Sequence, residues 1–312
     1  MILNAPDLWR QAYGNIYDNK GGMPPGVDGL TIDGYADERA KNLLVLLRAN
    51  RDVPSPVQRA YIPKPNGKQR PLGKPTTNDT HVQEVWRMIL ESIDEPVCKE
   101  SSHGFRMQRS CHTARKDSKY WSGTKWFIEC DIAGSFDTID HNIRMGLLEK
   151  KIDDTKFLNI ISKMVKAGYV EDWKYHNPYS GTPQGGSISP LLATISLHEL
   201  DGSMEKRLAD FSRGKERSRN PEYHSSSLRA GRLHKKIAQE ENQAIRSKLR
   251  EHKKVTQRRM LHIPSVDQQD PESRRVQYCR YADDFVRGAI CPKSDAEAIY
   301  RKIEPCLQED RK

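Results

Sequence analysis

The segment RRVQYCRYADDFVRGAIC, residues 274 to 291, constrains the fold more than any other stretch: apolar and aromatic residues run up to a two-carboxylate break and resume after it. That pattern predicts strand, tight turn and strand. Asp283 and Asp284 then stand side by side in an otherwise apolar run, where like charges repel and resist burial. Another pair, Asp153 and Asp154, sits among charges before a helix-like stretch and reads as an ordinary capping site. On the residues alone Asp283 and Asp284 can be turn formers, since aspartate favours turns, or ligands of a hard cation. Both readings stay open at this level.

The other elements follow from periodicity and punctuation. KWFIECDIAGSF, residues 125 to 136, begins as a buried strand and breaks at Gly134, and a helix takes over near DHNIRMGLLEKKI. VQRAYIPKPNGKQRPLG gives two extended runs around Asn66-Gly67, a strong hairpin signal. DERAKNLLVLLRAN, THVQEVWRMILESIDEPV (ended by Pro96) and LLATISLHELDGSMEKRLADF read as helices, and SDAEAIYRKIEPCL as a further one capped by Ser294. Strands interleaved with helices and hairpins predict an α/β (α+β) fold with an antiparallel element. Asp131, at the end of its strand, can converge with the pair in the hairpin turn if the two strands are neighbours. Three crowded carboxylates raise one another's proton affinity unless a hard cation balances them. Two magnesium ions about 3.5 to 4 Å apart, with manganese as a substitute, would suit in-line phosphoryl transfer.

Formal net charge is +10, and its distribution is informative. Between Gly202 and Arg280 there are 20 Lys and Arg against 10 Asp and Glu, leaving 32 of each sign elsewhere, so all the excess lies in one segment. A solvated helical face is the bland reading; a polyanion such as nucleic acid is the stronger one. No run approaches the roughly 18 apolar residues of a membrane span, and MILNAPDLWR lacks the features of a signal peptide, so an intracellular protein without membrane association is expected, cytoplasmic with an organellar location left open. The six cysteines form no C-x-x-C pair, which argues against a structural zinc site and a disulfide framework and predicts buried, reduced thiols.

IPKPNGKQRPLG, SHGFRMQRSCHTA, DIAGSFDTIDH, GTPQGGSISPLLATISLHELD and RYADDF, in that order, resemble the successive motifs of reverse transcriptases, in particular the group II intron-encoded (maturase) type, from about Gly26 to Cys291. The resemblance implies the fingers and palm of a right-hand polymerase, with an antiparallel palm sheet backed by helices. Residues 1–124 would form the N-terminal extension and fingers, which also draw on about 140–180. Residues 125–312 would form the palm, with a basic helical insertion at about 202–275. It also implies RNA-directed DNA synthesis. Asp131 and Asp283 would hold the metal ions, Asp284 would complete the acidic cluster, and the carbonyl of Ile132 would be a further ligand. Phe136 would lie against the incoming sugar and select deoxynucleotides, with plain core as its alternative. Lys64 and Arg70 would reach the triphosphate, Lys68 less certainly, while Gln184, Gly185 and Gly186 would lie against nucleotide and template. His112, His141, Glu199 and Asp201 receive no catalytic role.

In this family the stretch before the YADD hairpin carries an insertion. Its cations here, Arg213, Lys215, Arg217, Arg219, Arg229, Arg232, Lys235, Lys236, Arg246, Lys248, Arg250, Lys253, Lys254, Arg258 and Arg259, with few aromatics among them, suit phosphate tracking on a folded RNA. The implied partners are a group II intron RNA, an RNA template with a DNA primer, and deoxynucleoside triphosphates; a homodimer stays open. The alternative is a non-polymerising RNA-binding maturase on the same scaffold. The sequence stops at EPCLQEDRK, where complete enzymes continue into a thumb and maturase region, so weak synthesis by this stretch alone is the expectation.

Overall fold

The computed structural model describes residues 3, 5–18, 25–32, 37–65, 67–132, 139–177, 180–181, 185–214, 216–267, 270 and 272–301. The chain opens with two helices, α1 (Pro6–Tyr17) and α2 (Asp37–Arg48), the first with proline in its first turn. Strands β1 (Val57–Pro63) and β2 (Gln69–Lys74) form the antiparallel hairpin expected around Asn66-Gly67, with Gly67 at φ 78° and Asn66 itself outside the described residues. Helix α3 (Thr77–Asp94) is capped by Thr76, which accepts from the Asp79 N–H, and passes into a 3-10 turn, Glu95–Val97, at the expected Pro96. After α4 (Cys111–Lys119) come β3 (Trp126–Asp131), α5 (His141–Glu149) and α6 (Thr155–Lys166). Asp154 accepts the N–H groups of Lys156 and Phe157, the capping role its surroundings suggested.

Two short strands, β4 (Tyr169–Glu171) and β5 (Lys174–His176), complete a four-stranded sheet in the order β2-β1-β4-β5. Helix α7 (Ser189–Phe211) leads to the basic segment, which is a helical hairpin of α8 (Pro221–Gln239) and α9 (Gln243–Met260) capped by Asn220 and Asn242. Strands β6 (Arg275–Tyr281) and β7 (Asp284–Ile290) form the predicted hairpin and join β3 in an antiparallel sheet of order β3-β7-β6. Helix α10 (Lys293–Arg301) closes the described chain. It begins one residue before Ser294, so that residue lies inside the first turn, and the Pro292 carbonyl accepts from Asp295 and Ala296 instead. Among the described residues no helix is long and apolar enough to cross a membrane.

Two cores result, and α7 belongs to both. In α6, Phe157, Ile160, Ile161, Met164 and Val165 recur at helical spacing and are buried. They pack with Trp9 of α1, Val82, Val85 and Trp86 of α3 and the first turns of α7. Trp86 stacks on Phe157 with ring centroids 5.3 Å apart. The later turns of α7 give Leu197, Leu200 and Met204 to the second core, beneath Ile128, Val276, Tyr278, Phe285 and Ala289 of the three-stranded sheet and Ala296 and Ile299 of α10. A rigid helix shared in this way fixes the three-stranded sheet relative to the helical layer. The thiols depart from expectation: Cys279 and Cys291 are buried, Cys98 and Cys130 are half-buried and Cys111 is exposed, because Cys111 opens α4 at the surface. All five are free.

Candidate active site

Strands β3 and β7 pair so that Asp131, the last residue of one, lies directly opposite Asp284, the first of the other. Directly opposed residues of an antiparallel pair project from the same face. The Ile132 N–H donates to the Asp283 carbonyl at 3.1 Å, which brings the third carboxylate's residue alongside. Asp131 and Asp284 are exposed, Asp283 half-buried, and Ile132 buried. Partial burial, then the charges of Asp283 and Asp131, raise the Asp284 pKa above its ordinary value. Among the described residues, no three acidic, histidine or cysteine side chains are arranged to hold a metal ion as they stand. The donor set nevertheless fits a hard divalent cation in its chemistry: carboxylate oxygens only, with an excess of negative charge that already shows at Asp284.

The turn between β6 and β7 is the two-residue loop Ala282-Asp283, and Ala282 has φ 58°. A non-glycine residue there is strained, by about 1 to 3 kcal/mol, and persists where its surroundings dictate it. Arg280, fully buried, supplies that framework. Its Nε and Nη2 grip Asp201 of α7 at 2.7 and 2.6 Å, Nη2 also donates to Ser102 Oγ at 2.7 Å, and Nη1 donates to the Ala282 carbonyl at 2.8 Å. Tyr278 donates its hydroxyl to Asp201 at 2.8 Å. Residues 101–104 run beside the end of β6, with the Arg280 N–H donating to Ser101 and the Arg280 carbonyl accepting from His103. Gly104 lies so close beneath the turn that a Cβ there would overlap the Ala282 backbone nitrogen. This gives the SHGFR stretch a function that the sequence alone did not supply: it is the bed of the turn. The signal was present, since a charged Arg280 in a buried strand demands a partner.

A second seam joins the loops after β3 and before α7. Ile139 accepts the Gly181 N–H at 2.9 Å, and the Gly181 carbonyl accepts from His141 Nε2 at 2.7 Å and from Arg144 Nη1 at 3.2 Å. His141 is thus a buried structural histidine. Arg144 is fully buried, its Nε and Nη2 have no hydrogen-bond partner among the described residues, and burial lowers its pKa to about 10. Beyond it, Gly185 (φ 122°) abuts β2: an added Cβ would stand 2.5 Å from the Gly73 carbonyl, and one on Gly186 2.5 Å from Gln83 Oε1. These glycines allow close approach to the protein's own sheet and helix. Lys64 and Arg70 are exposed on either side of the β1–β2 turn, which the Lys64 N–H closes onto the Lys68 carbonyl at 2.7 Å. Phe136, Gln184 and Lys215 lie outside the described residues.

The helical hairpin is closed at its base by backbone bonds between Arg213 and Arg274 and between Asp267 and Ser218. Several cations singled out from the sequence are engaged within the protein. Arg217 donates to the Gly123 carbonyl, Arg246 to the Ile237 carbonyl, Lys253 contacts His234, and Arg259 pairs with Glu222. Arg219 is an exposed member of the base, bridged through its backbone to Val266. Arg229, Arg232, Lys235, Lys236, Lys248, Arg250, Lys254 and Arg258 are exposed along the two helices.

A strand-end aspartate held in register against an aspartate pair in a hairpin turn, on an antiparallel sheet backed by helices and joined to a separate basic hairpin sheet, is the fingers-and-palm architecture of a polymerase. The sequence agrees: residues 62–221 match the family described as reverse transcriptase (RNA-dependent DNA polymerase), and the chain belongs to it. It is 43% identical over 97% of its length to the group II intron-encoded protein LtrA of Lactococcus lactis subsp. cremoris, of which it covers 50%. It is 34% identical to the putative COX1/OXI3 intron 1 protein of Saccharomyces cerevisiae, over 98% of this chain and 35% of that protein. Protein YkfC of Escherichia coli is 32% identical over 98% of this chain and 74% of its own length. The chain thus spans about half the length of LtrA. Among solved structures, telomerase from Candida tropicalis with a fragment of telomeric RNA aligns at 13% identity and a TM-score of 0.45, over 90% of this chain and 43% of that one. Enzymes of the reverse transcriptase family work with divalent metal ions.

Proposed function

We propose that the protein is an RNA-directed DNA polymerase of the group II intron-encoded type, and that it also binds intron RNA and assists splicing and retrohoming in its full-length form. Residues 1–124 with part of 140–180 are the fingers, and residues 125–312 the palm. The observation that carries the reading is the register of Asp131 with Asp284 beside Asp283, on the exposed face at one end of the three-stranded sheet.

Asp131, Asp283 and Asp284, with the Ile132 carbonyl, would hold two Mg2+ ions, or Mn2+ in their place. Such ions supply Lewis-acid stabilisation of the attacking and leaving oxygens of an in-line displacement. The protein's own groups do the positioning. Lys64 and Arg70 draw in the triphosphate of a deoxynucleotide, as point charge and fork. Phe136 and Gln184 define the sugar and base pocket, and Gly185 keeps its floor close to β2. The Arg280 network holds Asp283 where the primer end would arrive. The exposed cations of α8 and α9 provide a salt-sensitive grip on folded RNA.

Primer extension on an RNA template with deoxynucleotides by the protein in its full-length form, wild type against Asp283→Ala, tests the polymerase reading. Synthesis by the wild type that the substitution abolishes is the expected result. RNA binding without synthesis by either protein would sink it in favour of a binding-only maturase.

A further inference from the structure

The four-stranded sheet ends in two tips that share one end. Strands β1 and β4 are parallel, with Val57 opposite Tyr169, so the β1–β2 turn and the β4–β5 turn leave the sheet in the same direction. The first tip carries Lys64, Lys68 and Arg70; the second is Asp172-Trp173, followed by Lys174. Asp172 and Trp173 both have positive φ, 48° and 62°, as a type I′ hairpin turn requires. That turn favours Asn-Gly, and a bulky ring in the left-handed region is a strained choice where glycine would fit freely. Burial does not explain the choice, because Trp173 is 99% exposed.

The tip is also held firmly. The Tyr169 ring stacks on His176 at 4.8 Å, the Arg59 guanidinium lies 3.9 Å from the Tyr169 centroid, and the Tyr61 hydroxyl donates to Glu171. Gly168, at φ 76°, lets the chain pass against the His176 carbonyl where no Cβ would fit. A strained indole is therefore presented to solvent on a rigid mount. The exposed apolar groups nearby do not merge into one patch: by strand register Tyr61 shares a face with Tyr169 and His176, whereas Ile62 and Tyr175 lie on the other. A single projecting ring, next in sequence to Lys174 and at the same end of the sheet as Lys68, suits one flat partner better than a protein surface.

We propose that Trp173 is a stacking platform for an unpaired base of a single-stranded RNA crossing this end of the sheet, with its phosphates drawn to Lys68 and Lys174. Stacking of this kind tolerates any base, because every base has a π-face. The inference rests on the RNA-binding part of the proposed function and not on catalysis.

Fluorescence anisotropy of a labelled, unstructured oligoribonucleotide and of a duplex of equal length, at fixed salt, tests it with the wild-type chain, Trp173→Gly and Trp173→Phe. Trp173→Gly is expected to weaken single-strand binding about tenfold, the loss of one stacked base, and to leave duplex binding within about twofold. It should also raise the melting temperature, since the turn strain is relieved. Trp173→Phe should keep most of the affinity. Equal single-strand affinity of wild type and Trp173→Gly, or an equal loss on the duplex, overturns the proposal. So does dissociation of a dimer by Trp173→Gly in sedimentation, which would assign the ring to a second copy. A wild type that binds neither RNA removes the RNA-binding reading along with the inference, whereas RNA binding indifferent to Trp173 removes the inference alone.

Discussion

Arg280 and Asp201, both wholly buried, face each other as a bidentate ion pair, and the same guanidinium holds the Ala282 carbonyl at the start of the acidic turn. Helix α7 is thereby tied to the geometry of the turn that carries Asp283. Removing one partner of a buried pair leaves an uncompensated charge and costs about 3 to 5 kcal/mol. Arg280→Met should lower stability by that order in urea unfolding. Replacing both partners, Arg280→Met with Asp201→Leu, should recover part of the loss. The double variant should still synthesise poorly and need more Mg2+, because nothing then holds the Ala282 carbonyl. Full recovery of synthesis with stability would reduce the pair to a packing element.

Gly104 and Gly146 make a matched comparison. A methyl group on Gly104 meets the Ala282 backbone, while the same group on Gly146, inside α5, meets nothing within 4 Å. Gly104→Ala should destabilise the protein by about 1 to 3 kcal/mol through overpacking and depress primer extension more than Tm alone explains. Gly146→Ala should stabilise by up to about 1 kcal/mol, the helix-propensity gain. Thermal melts of the two variants in parallel check both signs.

Much of this arrangement was legible in the sequence, for a local reason. Asp131 and Asp284 each border an apolar extended run, so period and break together located them, and Asp154 declared itself by the helix after it. What stayed hidden depends on contacts between distant segments. The Arg280 and Asp201 partnership joins a strand to a helix across 79 positions, and Gly104 looks like any loop glycine until Ala282 is placed above it. The parallel pairing of β1 with β4 rests on two residue pairs, too short to leave a pattern. Ser294 is not the cap because α10 already begins at Lys293, with the carbonyl of Pro292, two residues before Ser294, accepting its first N–H groups.

The acidic cluster carries a pH signature. Burial first, then Asp283 and Asp131, raise the Asp284 pKa above the 3.8 of an unperturbed aspartate. The folded state therefore holds that proton more tightly than the unfolded state. Below the unfolded pKa this group is no burden; as pH rises from about 4 through the folded pKa, stability falls. In metal-free buffer Asp284→Asn should flatten that decline and stabilise the protein at neutral pH. Mg2+ should raise the melting temperature of the wild type and do so less for Asp131→Asn. A wild type whose stability between pH 4 and 7 matches that of Asp284→Asn would contradict the crowding of these carboxylates.

Asp79, in the first turn of α3, makes a separate prediction. Burial raises its pKa to about 6, against the opposing pull of bonds from Thr76 and Ser55. By the same sign rule its contribution is lost between pH 4 and 6 as pH rises. Carboxylate NMR should find it titrating near 6, and Asp79→Asn should remove that part of the stability slope without touching the Mg2+ response, which separates it from Asp284.

The helical hairpin separates cations that hold the protein together from cations that are open to a partner. Arg246 bonds the Ile237 carbonyl across the two helices and Arg259 pairs with Glu222, whereas Lys235, Lys236, Lys248 and Lys254 are exposed. Each phosphate contact adds a little under one unit to the slope of log affinity against log salt. Replacing the four lysines with glutamine should therefore weaken binding to a structured intron RNA at low salt and cut the slope by about 3, with no change in Tm. Arg246→Gln should do the reverse, loosening the hairpin in hydrogen exchange while leaving the slope within one unit. The seam between the helices buries only Leu233 completely enough to count as core, so loss of even one inter-helix bond should be felt there. An unaltered salt slope in the four-lysine variant would move the RNA-binding surface elsewhere on the molecule.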